Sequence, residues 1–128
     1  STRVRSSAAS DVYKRQLAEC KFKANDVDGA AKLLNAVRKR NYPQDTWAEY
    51  LYKPEGTVTL TQDELYDEWG REFLAEGRRR TDLIRWGLYC TEEWWDKKPD
   101  ADSHWDIFPI PRDMMGADHT LKQNPGYN

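Results

Sequence analysis

Residues 64–87 read ELYDEWGREFLAEGRRRTDLIRWG. Whether this stretch is one helix, two helices or a ligand site governs everything around it. Its start is marked just upstream, where Thr61 and Glu64 have the spacing of a capping box and Leu60 and Leu65 take the two positions of a hydrophobic staple. From there Leu65, Trp69 and Phe73, with Tyr66 and Leu74 beside them, lay an apolar stripe along one side of a helix. Gly70 weakens that helix by roughly 1 kcal/mol relative to Ala, which packing must offset. Gly77 predicts a kink, Leu83, Ile84 and Trp86 form the apolar side of a short continuation, and Gly87 predicts its end. The expectation is a long kinked helix.

The same stretch carries its charges in register. Glu64, Glu68, Glu72 and Glu76 recur every four residues and so share one helical face. Carboxylate-bridged metal sites in helical bundles also need a histidine three residues after a glutamate, and neither His104 nor His119 has that spacing. Arginine is the better partner: Glu68 reaches Arg71, Glu76 reaches Arg79 and Arg80, and Asp82 reaches Arg78 and Arg85. Each such pair adds a few tenths of a kcal/mol where exposed. The three consecutive arginines therefore read as structural. The competing reading is an anion or uronic-acid site, because a guanidinium fork suits carboxylates.

Upstream, Leu17, Cys20 and Ala24 recur at helical spacing before the turn-forming NDVDG. A second helix follows in DGAAKLLNAVRKRNYP, with Ala30, Leu33, Leu34 and Val37 as its stripe, Asp26 or Asp28 as its cap and Pro43 as its stop. The pair is a helical hairpin of tetratricopeptide type, although no second copy recurs at a matching period. Residues 41–60 read as a long connection. Residues 1–16 lack an apolar stripe, and their SSAASDVYKRQ resembles translated sequencing-adapter sequence. They are read as a non-native or disordered leader, and residues 17–128 as the domain. Residues 17–87 should be largely helical and residues 99–128 irregular apart from short turns.

Composition narrows function. The 20 basic and 22 acidic residues nearly cancel, giving a net charge of -2, so no overall field attracts nucleic acid. With 38% hydrophobic residues, six Trp, seven Tyr and three Phe must supply much of the core. Cys20 and Cys90 have neither disulfide-framework nor zinc spacing. Serine-hydrolase, zinc-protease and phosphate-loop patterns are all missing, and glutamates on one exposed stripe lack the facing geometry of a glycosidase. Neither catalysis nor a cofactor is expected.

The ordered blocks carry a resemblance. Glu68, Glu72, Phe73, Glu76, Gly77, Arg79, Asp82, Leu83, Arg85, Trp86 and Gly87 match a C-terminal signature of the form E-R-x-x-E-L-x-x-E-G-x-R-x-x-D-L-x-R-W-G. In FPIPRDMMGADHTLKQNPGYN, Pro109, Ile110, Pro111, Leu121, Gln123, Asn124, Pro125, Gly126 and Tyr127 match a closing P-I-P…L-x-Q-N-P-G-Y, and Asn35, Val37, Arg38 and Arg40 match an N-x-V-R-x-R helix. All three blocks resemble the SusD/RagB family of outer-membrane glycan-binding lipoproteins. Trp69 stands where the family usually has arginine, Arg80 and Thr81 where aromatics are common, and Met114 where glutamate is usual. The resemblance implies the C-terminal part of a mainly helical, surface-exposed lipoprotein of the cell outer membrane. Such a protein captures oligosaccharide or another nutrient for a SusC-like TonB-dependent transporter, with its signal peptide and lipid anchor upstream.

Sugar binding in this chain would fall to aromatics, whose flat faces stack on pyranose C–H faces. Trp47, Tyr50 and Tyr52 in the first connection and Trp94 and Trp95 in the second are the candidates, each weighed against plain core packing. Trp69, Trp86 and Trp105 are assigned to packing. The alternative function is a helical-repeat protein-interaction module with no sugar ligand, against which the closing QNPGYN counts, since a generic repeat does not need it.

Overall fold

A computed structural model describes the backbone of residues 2–127 and the side chains of residues 12–127. The helices are α1 (Thr2–Lys23), α2 (Val27–Asn41), α3 (Trp47–Tyr50), α4 (Gln62–Glu72), α5 (Arg79–Trp86) and α6 (Arg112–Ala117), with 3₁₀ turns at Gln44–Thr46 and His104–Asp106. The described residues form no sheet, only isolated bridges at Tyr52–Val58 and Trp94–Lys97. The protein is all-α, as the sequence predicts. It divides into two compact units, residues 1–72 and residues 73–128.

In the first unit α1 packs on α2 through a tight turn. Asn25 takes the left-handed conformation there (φ 62°), which asparagine tolerates better than most side chains. Asp26 caps α2 by accepting from the Gly29 amide at 2.9 Å and pairs with Lys21 at 2.6 Å. A Cβ at Gly29 would lie 2.3 Å from an Asp26 carboxylate oxygen, so a larger residue there would have to displace the capping side chain. One detail of the first helix departs from the sequence reading. Helix α1 runs from Thr2 to Lys23, and Arg15 on it is buried and pairs with Glu72 at 2.5 Å. Its buried positions are Arg15, Ala18 and Glu19, while Leu17 and Cys20 are exposed. The polar pair is buried because Glu72 answers Arg15 and Lys23 answers Glu19 at 2.9 Å.

The face of α2 likewise includes polar residues that the apolar stripe omitted: Asn35 is fully buried and Arg38 nearly so. Asn35 accepts from the Tyr52 amide at 2.8 Å and donates to the Tyr52 carbonyl at 2.9 Å, serving an extended loop segment as a neighbouring strand would. Arg38 donates to Glu68 through Nε at 3.2 Å and Nη2 at 2.8 Å, to Glu64 at 3.0 Å and to the Tyr50 carbonyl, with its guanidinium 3.9 Å from the Tyr52 ring centroid. Leu34, Val37, Leu51, Tyr52, Leu65 and Trp69 close the core around this network. Thr61 caps α4 by accepting from the Glu64 amide at 3.2 Å, and Leu60 and Leu65 are buried as the staple requires. The other half of the capping box is redirected, because the Glu64 carboxylate accepts from Arg38, Arg71 and the Tyr52 hydroxyl.

The long kinked helix is resolved into α4 and α5, with residues 73–78 in turns between them. Ala75 (φ 64°) and Gly77 (φ 71°) both adopt the left-handed conformation, which ends helical hydrogen bonding outright instead of bending it. Helical register is therefore lost at Glu76, which is exposed, and Arg80 spends its guanidinium elsewhere. It donates to the Trp105 carbonyl at 2.7 Å and the Asp106 carbonyl at 3.3 Å and lies over the Phe108 ring at 4.0 Å. The Asp82–Arg85 pair is as expected, at 3.1 Å. Gly87 ends α5 in the left-handed conformation (φ 74°), with Leu88 N–H returning to the Leu83 carbonyl at 2.8 Å.

The tail of the second unit is irregular but tightly held. Gln123 grips Ile110 by both backbone groups, accepting from its amide at 2.7 Å and donating to its carbonyl at 2.8 Å. Asn124 donates to the Phe108 carbonyl at 2.8 Å and Tyr127 to the Ile107 carbonyl at 2.7 Å. Pro109 and Pro111 lack the amide that a helix or sheet would use, so this side-chain clamp replaces secondary structure along IFPIP. Gly126 has φ 89° and a Cβ there would meet His104 Cβ at 2.5 Å, which excludes any larger residue. Following Pro111, α6 is longer than the short turns expected. Trp105, assigned to packing, is half exposed and presents its ring edge-to-face to Tyr127 at 5.7 Å.

Three outcomes test these contacts. Arg38→Ala should lower unfolding free energy by about 3 to 5 kcal/mol in urea titration, because it strands Glu68 in the core. Gln123→Ala should speed hydrogen exchange at the Ile110 amide and cost about 1 to 2 kcal/mol. The third concerns pH. Burial pushes the Glu68 carboxyl up, but bonds and charge from Arg38 and Arg71 outweigh this and hold it below the ordinary range. The unfolded chain therefore takes up a proton first, near pH ~4.3, so this contribution is complete above that pH and is lost as pH falls towards the folded value. Glu68→Gln should flatten the acid limb of a stability-against-pH curve.

Candidate functional site

The sequence candidates separate into two groups. In the first unit Tyr52 is fully buried, and its hydroxyl donates to Glu64 at 2.9 Å. Burial, followed by the negative charge of Glu68, drives that phenol well above its usual range, so it stays protonated as a donor. Trp47 donates its indole N–H to the Tyr42 carbonyl at 3.0 Å and has Lys39 at 5.0 Å from its ring centroid. Tyr50 stacks on Tyr42 with centroids 4.7 Å apart and planes 12° from parallel. These rings already have partners, and they hold the loop after α2 in place.

In the second unit Trp94 and Trp95 come together. Trp94 and Lys97 exchange backbone hydrogen bonds at 2.8 Å and 3.2 Å, so Trp95 and Asp96 form the tip of a two-residue turn. Trp95 is 97% exposed, a large indole presented to solvent by a pinned backbone. Lys97 steadies the turn from both sides, pairing with Asp100 at 2.8 Å and lying 5.5 Å from the Trp94 ring centroid. Beside it opens a cleft of about 510 Å³ lined by Arg79, Arg80, Leu83, Tyr89, Trp94, Trp95 and Asp96. That volume lies within the range of small-molecule sites, ~300–1,000 Å³. One side is contributed by α5, one by the turn, and Tyr89 stands between them just beyond the helix end.

Two apolar walls with polar groups at the ends are suited to a flat ring carrying hydroxyls. Arg80 is fixed by the Trp105 and Asp106 carbonyls, both through Nη2, and its guanidinium lies 5.0 Å from the Tyr89 ring centroid. The cleft thus has a preset cationic end and an acidic residue, Asp96, on the turn. Sequence reasoning selected Trp94 and Trp95 but missed Tyr89, which follows the terminating glycine with no periodic pattern to mark it. It weighed Arg79 and Arg80 chiefly as ion-pair partners. Cys90, next to Tyr89, is buried and donates to Asp106 at 3.3 Å; burial and this bond push its thiol up to about 11, so it is no nucleophile at neutral pH.

The first unit has a smaller cavity of about 290 Å³ lined by Phe22, Lys23, Asn25, Gln62, Leu65 and Tyr66. The glutamates of the opening stretch have structural partners: Glu64 and Glu68 accept from Arg38 and Arg71, and Glu72 accepts from Arg15. Among the described residues no three His, Cys, Asp or Glu side chains gather as metal ligands, and no helix is long and apolar enough to cross a membrane.

Comparison with known proteins places these features together. The sequence profile described as the SusD family matches residues 16–127. Over 76 residues the chain is 42% identical to Starch-binding protein SusD of Bacteroides thetaiotaomicron, a match covering 54% of this chain and 14% of that protein. The chain therefore spans only a small part of that relative's length. The α2 face bearing Asn35 and Arg38, the Glu68 and Glu72 partners on α4, the capped α5 and the QNPGY clamp all lie inside the matched region, and the chain belongs to the SusD family.

Proposed function

We propose that this chain is the C-terminal portion of a SusD-like nutrient-binding lipoprotein, exposed at the cell outer membrane, that captures oligosaccharides and passes them to a SusC-like TonB-dependent transporter. The observation that carries the binding reading is the second unit's cleft, where Trp95 is held out by a pinned turn beside Trp94, Tyr89 and two guanidinium groups. Similarity to a starch-binding protein supports sugar as the ligand. Of the sequence candidates, Trp94 and Trp95 belong to this site, and Trp47 and Tyr50 serve the loop packing of the first unit. Residues 17–128 are the C-terminal part of a larger domain. Exposed Leu74 and Phe108, at 80% and 69%, support that reading as surface for further helices.

The function is binding without turnover. A glycosidase acid needs a carboxyl whose pKa is raised, facing a second carboxylate across the bond. Glu68 is held ionised below the ordinary range by two arginines, the opposite arrangement.

Calorimetry on the longer parent protein against a panel of oligosaccharides tests the proposal. Saturable binding without release of shorter sugars is expected. Trp95→Ala should weaken it by about 1 to 3 kcal/mol with the melting temperature unchanged, since this indole contributes almost nothing to burial. Hydrolysis of any sugar in the panel, or no binding to any of them, would overturn it.

A further inference from the structure

The cleft in the second unit is not electrically neutral, and its charge is arranged. Arg79 and Arg80 open α5 and bring two guanidinium groups to the lining of the cleft. Both hydrogen bonds that fix Arg80 come from Nη2; its Nη1 and Nε take no part in them, so the fork is oriented before any ligand arrives. On the turn, Asp96 contributes the single negative charge among the lining residues. A neutral sugar would use these groups for hydrogen bonds to hydroxyls but not their charge. A carboxylate would also use the charge, since guanidinium binds carboxylate bidentately.

Resting on the oligosaccharide reading above, the geometry points to an acidic sugar as the preferred ligand of this cleft: a uronic-acid residue stacked on Trp95, its carboxylate held by Arg79 and Arg80 and its hydroxyls bonded by Asp96. The stacking surface supplies ring recognition and the two arginines supply charge recognition. Binding should weaken with salt, as expected of an exposed ion pair.

Tryptophan fluorescence of the longer parent protein, titrated with a galacturonate oligosaccharide and with a neutral malto-oligosaccharide of equal length, tests the inference, with the same pair run by calorimetry. The expected result is saturable quenching by the galacturonate that is roughly tenfold tighter than with the neutral sugar, weakened about tenfold by Arg79→Gln and abolished by Trp95→Ala. Both residues are exposed, and unchanged melting temperatures would confirm that the variants fold. Equal affinity for the two sugars, with Arg79→Gln silent, would overturn the acid preference and leave oligosaccharide binding intact. Binding by the parent that is indifferent to both substitutions would remove this cleft from the site while sparing the proposed function. Failure of the parent to bind either sugar would overturn the inference.

Discussion

A loop carbonyl buried without a donor costs more than most single contacts return, and this chain, with long connections and no sheet, must satisfy many of them. It does so with side chains. Arg38 reaches from α2 to the Tyr50 carbonyl while pairing with Glu68 and Glu64. Asn35 takes both backbone groups of Tyr52. In the second unit Arg80 serves Trp105 and Asp106, and Gln123, Asn124 and Tyr127 serve Ile110, Phe108 and Ile107. Each unit is a short helical frame to which loops are tied by long polar residues, so those residues specify the fold as firmly as the apolar core does.

Arg38 on α2 and Arg80 in the opening stretch take their meaning from this. Buried ion pairs are costly to assemble and contribute little net stability against an apolar substitute, but removing one partner leaves a charge stranded. Arg38 accordingly acts as a selector of arrangement: only one placement of α2, the residue 50–52 loop and α4 gives its fork all of its acceptors. Burial alone would depress its charge, and Glu68 restores it. Arg80 does comparable work for the tail and, by being immobilised there, becomes part of the cleft wall. Fixing a guanidinium in place also removes entropy that a ligand at the proposed site would otherwise have to overcome.

The turn at Trp95 is held by backbone contacts. An indole at 97% exposure has no folding reason to be there, since its burial would stabilise the chain. Its backbone is nonetheless pinned by Trp94 and Lys97, so the ring is held out on a rigid support instead of on a loose loop. Rigid aromatic faces next to fixed charges are what a sugar site requires, and the family to which the chain belongs makes that chemistry the natural reading.

Much of the fold was legible in the residues themselves. The capping Thr61, the Leu60–Leu65 staple, the α2 start at Asp26 and the terminating Gly87 are local signals, set by the chain's own nearest neighbours, and the structure uses each of them. The ordered motif blocks likewise led to the family. Tertiary structure alone decided the rest. Periodicity assigns apolar residues to a face but cannot show that Asn35, Arg38 and Arg15 share the interior, because their burial depends on acceptors distant in sequence. Gly77 signalled a kink, yet a break was made only because Ala75 also adopts a left-handed conformation that its sequence does not favour. Trp47 and Trp95 looked equivalent as exposed aromatic candidates. One closes on Tyr42 and Lys39 and the other stands at a turn tip beside two arginines, a distinction made by how the backbone folds back at each place and not by residue type.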